Sequence, residues 1–191
     1  SNLTISSQIR EILKALIDAN FEAYIVGGCV RDLLRDKEPK DWDITTNAKP
    51  EDVQKLFPDS FYENKFGTVG IKSDATEIVE VTTYRLEEKY TDKRHPDKVQ
   101  FTASLEEDLK RRDFTINAMA MASKGEITDL FNGQDDLKNK LIRAVGEPED
   151  RFNEDALRMM RAVRLATELN FKIEDKTLQA IADNAKDIDL I

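Results

Sequence analysis

The stretch "EAYIVGGCVRDLL", Glu22 to Leu34, reads as a short strand, a Gly-Gly turn and a new helix. Gly27 and Gly28 stand where the strand becomes the helix. Absent side chains there serve a tight turn, or they let backbone N–H groups and the helix start approach a phosphate. Arg31, in the first turn of that helix, can reach the same anion, while Asp32 suits the helix dipole. Upstream, Ile5, Ile9, Ile12, Leu13, Leu16 and Ile17 repeat at helical spacing, so the chain opens with an amphipathic helix. Downstream, "DWDITT" is a second strand and "KPEDVQKLF" a short helix with Pro50 near its start. "KFGTVGIKS" and "EIVEVTTYR" form a hairpin around "SDAT". A nearly all-polar connection follows from Leu86 to Gln100, then a helix in "SLEEDLKRRD" and the apolar run "INAMAMA", whose form stays open. After the break at Gly146, Glu147 and Pro148 the remainder reads as helices only: "PEDRF", Asp155 to Leu169, and Asp175 to Lys186. Mixed strands and helices followed by helices alone indicate an α+β domain, residues 1–145, joined to a helical one, residues 146–191. That second part is too short to close a helical core, so the chain reads as a piece of a longer protein.

The 191 residues carry 40% hydrophobic and 35% charged side chains, which excludes a disordered chain. No apolar run nears the roughly 18 residues that span a bilayer, so no membrane association is expected. The single cysteine, Cys29, rules out an internal disulfide framework and a thiolate zinc cluster, and a cytoplasmic setting is expected. A net charge of −9 argues against a protein that coats nucleic acid, but not against one that grips it through a local cluster of arginines.

Asp41 and Asp43 flank Trp42. On an extended strand they point the same way, about 7 Å apart at Cα, and their mutual repulsion leaves room for a cation between them. Two strand carboxylates near a glycine turn are the parts of a site for a metal and a triphosphate, and magnesium suits such oxygen ligands. A third acid is expected on a neighbouring strand. Glu80 in "IVEVT" supplies it, with Glu77 as a rival and an exposed sheet residue as the plain alternative. In "KRRDFTINAMA", Arg112 and its neighbours offer planar donors for phosphate oxygens, or else form a solvated helix face, and Asn117 is a candidate strut. Asp155, Arg158, Arg161 and Arg164 recur every third residue in "NEDALRMMRAVRLA". On a helix each such step turns by about −60°, so neighbours meet. An i,i+3 salt bridge on a solvent face would explain the spacing. A carboxylate beside a guanidinium would also match the donor–acceptor edge of cytosine and adenine and refuse uracil and guanine.

Together these stretches resemble the tRNA nucleotidyltransferases, or CCA-adding enzymes, of the class shared by bacteria and eukaryotes, in the superfamily that also holds bacterial poly(A) polymerases. The matching pieces are "GGCVRD" (27–32), "DWD" (41–43), "VEVTTYR" (79–85), "YTDKRHPDKVQF" (90–101), "RRDFTINAMA" (111–120), "DLFNGQDDL" (129–137) and "EDALRMMRAVR" (154–164). The resemblance implies a nucleotidyltransferase head with a five-stranded mixed sheet, followed by the start of an all-helical neck. It implies that Asp41 and Asp43 bind Mg2+ and that Glu80 completes the acid set. Gly27, Gly28, Arg31 and Arg112 would meet the nucleotide's phosphates or sugar. Asp155 and Arg158 would pair with its base, with Arg161 and Arg164 nearby. Asp92 and Arg94 would belong to the element typical of enzymes that add the final A. The implied reaction adds CCA to tRNA 3′ ends from CTP and ATP, releasing pyrophosphate. A poly(A) polymerase, a partial CC- or A-adding enzyme, and a binding module with a decayed head are the alternatives.

Overall fold

The computed structural model describes residues 4–63, 66–73, 77–86 and 99–186. The chain opens with α1 (Ser7–Asp18), whose apolar stripe buries Ile9, Ile12, Leu13 and Leu16. Ile17, expected on that stripe, points outward. Then come β1 (Ala23–Val26), α2 (Gly28–Leu34), β2 (Asp43–Thr46), α3 (Pro50–Leu56), β3 (Phe61–Tyr62), β4 (Thr68–Lys72) and β5 (Ile78–Thr83). Pro50 opens α3 with the fixed φ that suits a first helical turn. Next is α4 (Leu105–Lys110), capped by Ser104 Oγ accepting from Glu107 N at 3.2 Å. A 3-10 turn (Thr115–Asn117) leads into β6 (Met119–Met121), β7 (Ile127–Asp129), α5 (Gly133–Lys138) and β8 (Leu141–Ile142). The last described elements are α6 (Pro148–Glu154), α7 (Leu157–Leu169), β9 (Lys172–Ile173) and α8 (Asp175–Asn184). No helix among the described residues is long and apolar enough to cross a membrane.

The fold is mixed α+β around a seven-stranded sheet in the order β3-β4-β5-β2-β1-β6-β7. Among the described strands of this sheet, only the β2–β5 pair is parallel. The sheet is two strands wider than expected, because β3 and β7 add at its edges. With two and three residues, neither is long enough to show a period-2 pattern. The "INAMAMA" run resolves into the 3-10 turn and β6, whose three residues are buried on both faces and so show no alternation.

One face of the sheet presents Ile25, Ile44, Val69, Val79, Val81 and Met119 to α1, α2 and α3. Each such side chain contributes about 1.5–3 kcal/mol on burial. The other face carries a small apolar patch, Val26 and Ala120, under Leu109 of α4. A second core gathers Phe114, Ile116, Leu137 and Ile142 with Phe152, Ala156, Met159, Ala162 and Leu165. Its members come from both sides of Gly146, which turns the chain at φ +74°. The part expected to be all-helical also contains β9, which pairs in parallel with β8 through Leu141–Lys172 and Ile142–Ile173.

Candidate active site

Asp43 begins β2, and its register partner across the parallel pair is Glu80 of β5. Partners in register leave the sheet on the same face. Asp41 lies in the bend before the strand, exposed, so the two aspartates do not share one strand as expected. Pro39 has no N–H to give a ladder, and the charged residues around it stay in water. The Asp43 carboxyl is pushed up to about 6. Burial is the main cause and the Glu80 carboxylate the next; Arg112 opposes them, and Asp41 and Glu63 add to them. Glu63 was not anticipated. Its own carboxyl is raised by burial and by the neighbouring Glu80 carboxylate. Gly70, the register partner of Glu80 on β4, makes room for this: a Cβ there would stand 2.8 Å from Glu63 Oε1 and 2.7 Å from the Phe61 ring. The rival Glu77 precedes β5 and accepts from Ser73 N through its carbonyl.

Half-buried Asp43, raised to about 6 first by burial and then by the Glu80 carboxylate, offers hard oxygens that fit a divalent cation of the magnesium type, which would relieve the repulsion. Among the described residues no three acidic, histidine or cysteine side chains form a complete cage. Magnesium completes its shell with water and substrate phosphates, so a partial protein set is what it requires.

The glycine turn lies beside the arginines. Gly27 sits at φ +85°, a conformation that side chains rarely adopt. A Cβ on Gly27 would stand 3.8 Å from Arg112 Nη1, and one on Gly28 would stand 3.3 Å from Arg31 Nη2. Arg31 Nη1 donates to Asn117 Oδ1 at 2.9 Å, and its Nε to Asp32 at 3.1 Å. Arg112 Nη2 donates to buried Asp108 at 3.1 Å, while its buried Nε has no hydrogen-bond partner among the described residues. Cys29, 2% exposed, has its thiol pushed up to about 11 by burial and donates to Val26 O, a packing role.

Asp155 was expected on a helix with Arg158, Arg161 and Arg164. It instead occupies the break between α6 and α7, at φ −150° and ψ 103°. Its Oδ1 accepts from Leu157 N at 3.0 Å, a cap that starts α7 two residues later. Asp155 and Arg158 are both buried but not bonded side chain to side chain. Arg158 Nη1 donates to Arg151 O at 3.0 Å and to Glu154 at 2.8 Å. Arg161 Nε donates to Asp113 at 2.7 Å, with its Nη2 3.6 Å from Asp155 Oδ2. Burial alone would raise the Asp113 carboxyl, but Arg161 and then Arg158 hold it below the usual range.

A cleft of about 360 Å³ brings together Gly27, Gly28, Asp43, Arg112, Asp155, Arg158 and Arg161. Arg31 and Asp41 line a neighbouring cavity of about 570 Å³ that shares Gly28 and Asp43 with it. Arg164 is exposed and lines a side groove with Arg161 and Asn117. Asp92 and Arg94 lie outside the described residues. Arg111, the neighbour of Arg112 in "KRRD", also lines the main cleft; Arg85, which lines it too, and Asp108 behind them were missed.

Residues 23–143 match the family model described as the Poly A polymerase head domain. The CCA-adding enzyme of Lactobacillus helveticus is 58% identical over 174 residues, 91% of this chain and 43% of that protein. That of Enterococcus faecalis is 52% identical over 184 residues, 94% of this chain and 45% of that protein. The chain thus spans under half the length of these relatives. The crystal structure of the Bacillus stearothermophilus CCA-adding enzyme in complex with CTP superposes with a TM-score of 0.88 at 45% identity, covering 96% of this chain and 44% of that one. A tRNA nucleotidyltransferase complexed with a primer tRNA and an incoming ATP analogue gives 0.73 at 33% identity, covering 92% and 50%.

Proposed function

Because the chain belongs to the poly(A) polymerase head-domain family, we propose that it carries the nucleotide-transferring part of a CCA-adding tRNA nucleotidyltransferase, with CTP and ATP as donors and the tRNA 3′ end as acceptor. One observation carries this reading: a single cleft joins Asp43 and the Gly27–Gly28 turn to Asp155, Arg158 and Arg161. The relatives named above support it, since one neighbour holds CTP and another a primer tRNA with an ATP analogue.

In the proposed reaction the tRNA 3′-hydroxyl oxygen attacks the α-phosphorus. A P–O bond forms to it, the bond to the bridging oxygen breaks, and pyrophosphate leaves with that electron pair. Asp41 and Asp43 would hold magnesium and Glu80 would complete the acid set. The ion, when bound, lowers the hydroxyl pKa and neutralises charge on the leaving group. Gly27 and Gly28 let the triphosphate approach the backbone, and Arg31 and Arg112 offer donors to its oxygens. Asp155 accepts from the exocyclic amine of cytosine or adenine, and Arg158 donates to the adjacent ring nitrogen. Nη1 of Arg158 is engaged by Arg151 and Glu154, so Nη2 and Nε are the donors assigned to the base. Arg161 and Arg164 serve the sugar, the phosphates or the remaining base edge. We assign residues 1–145 to the catalytic head and 146–191 to the base-reading neck.

The test is extension of a tRNA that ends before its CCA, with labelled CTP and ATP, magnesium and tRNA in large excess. Addition of C, C and A supports the reading. A long A tail would place the activity with poly(A) polymerases, a reading the head-domain match also admits. No pyrophosphate release from any nucleotide would overturn the enzymatic assignment.

A further inference from the structure

We propose that Asp108 is a positioning residue for the nucleotide cleft: its buried carboxylate holds the side chains of Arg111 and Arg112 where a nucleotide's phosphates enter. This rests on the reading above that the cleft takes a nucleoside triphosphate.

Asp108 lies in "LEEDLK", where its acidic neighbours behave as a solvated face. Glu106 is exposed and Glu107 half-buried, and both pair with Lys110. Asp108 is 0% exposed. Its Oδ1 accepts from Arg85 N at 3.0 Å and Arg111 Nε at 3.3 Å. Its Oδ2 accepts from Thr45 Oγ1 at 3.1 Å and Arg112 Nη2 at 3.1 Å. A carboxylate has about four acceptor sites, so these donors fill it. Burial alone would raise the carboxyl; Arg112, Arg111 and the Arg85 N–H outweigh it and hold it below the usual range.

The donors come from each wall of the cleft. Thr45 stands two residues after Asp43 on β2, and Arg85 follows β5, where it pairs with Phe101. Arg111 and Arg112 line the cleft itself. From the far side, Arg151 of α6 donates Nη2 to Arg111 O at 2.5 Å and Arg112 O at 2.8 Å. The arginine side chains are thus held by Asp108 and their backbone by Arg151. Two long side chains fixed before a ligand arrives spare it the cost of ordering them. Salt bridges meant only for stability do not need their cations aimed into a cleft.

Calorimetric titration of this chain with CTP and with UTP, in magnesium, tests the proposal. Asp108→Asn is expected to weaken both nucleotides about tenfold, the scale at which supporting contacts act. The CTP-to-UTP ratio should stay unchanged, because Asp155 and Arg158 are untouched. In an Arg111→Ala, Arg112→Ala background the same change should cost less than about twofold, since the groups it positions are gone. Equal cost in both backgrounds, or wild-type affinity in Asp108→Asn, overturns the positioning role and leaves the proposed function standing. Absence of CTP binding by the unaltered chain overturns the proposed function, and this inference with it. Should Asp108→Asn fail to fold by circular dichroism, the isosteric Thr45→Val decides. It removes one of the four donors and is expected to weaken CTP about threefold, and unchanged affinity there contradicts the role.

Discussion

Asp43 and Glu80 are register partners on adjacent parallel strands: after burial, which is the largest cause, the Glu80 charge is the next reason that the Asp43 carboxyl sits at about 6. Such repulsion is uneconomical unless a cation relieves it. Asp43→Asn should therefore abolish transfer, by about 10²–10³-fold or more given the several kcal/mol a metal supplies to a transition state. Thermal stability without magnesium should hold or rise. Retained transfer in that variant would contradict the metal assignment.

The same shift sets a pH dependence. With the folded value near 6 and the ordinary value 3.8, the native state binds more protons between those limits, so the Asp43 contribution to stability is lost as pH rises from about 4 to about 6. Above that window the group is ionised and ready for a cation. The rise in Tm produced by magnesium with CTP should be larger at pH 7.5 than at pH 5. In Asp43→Asn the difference between the two pH values should shrink, as thermal melts at each pH would measure.

Asp155 caps α7 at Leu157 while its other oxygen lies near Arg161. Asparagine caps as well as aspartate, so Asp155→Asn should preserve the fold. Its amide presents a donor as well as an acceptor and no longer refuses uracil. The CTP-to-UTP affinity ratio should fall about tenfold, equivalent to about 1.4 kcal/mol. Competition titrations of the two nucleotides would read it, and an unaltered ratio removes Asp155 from base selection.

Gly133 packs against backbone. A Cβ there would stand 2.3 Å from Thr115 O, which cannot swing aside as a side chain can. Gly133 N donates to Asp129 Oδ1 at 2.7 Å and Gln134 N to Oδ2 at 2.9 Å, so "DLFNGQDDL" is a capped turn that seats α5 against the 3-10 turn carrying Asn117. Gly133→Ala should cost about 1–3 kcal/mol or more of stability. Leu13→Ala, in the fully buried stripe of α1, should cost about 2–5 kcal/mol without altering nucleotide preference. Urea unfolding of each variant gives the comparison.

Elements with a clear period were legible in the sequence. The stripe of α1, the β4–β5 hairpin and the strand–Gly-Gly–helix passage at 23–34 all follow from spacing that local sterics enforce. The short edges β3 and β7 were not, because two or three residues make no pattern. The acids and arginines of the cleft were named one by one, yet two of their relations depended on packing. Asp155 looked helical because spacings of three suit both a helix and a cap followed by a helix. Asp108 and Glu63 resembled surface acids, since nothing local distinguishes a buried carboxylate whose partners are Thr45 and Arg85, or a half-buried one set beside Glu80.

Most direct is a crystal structure of the chain with CTP and manganese in place of magnesium. An anomalous peak at the Asp41 and Asp43 carboxylates, with cytosine against Asp155 and Arg158 and the triphosphate beside Gly28 and Arg112, is the predicted result. A metal bound elsewhere, or a base lodged away from Asp155, would contradict it.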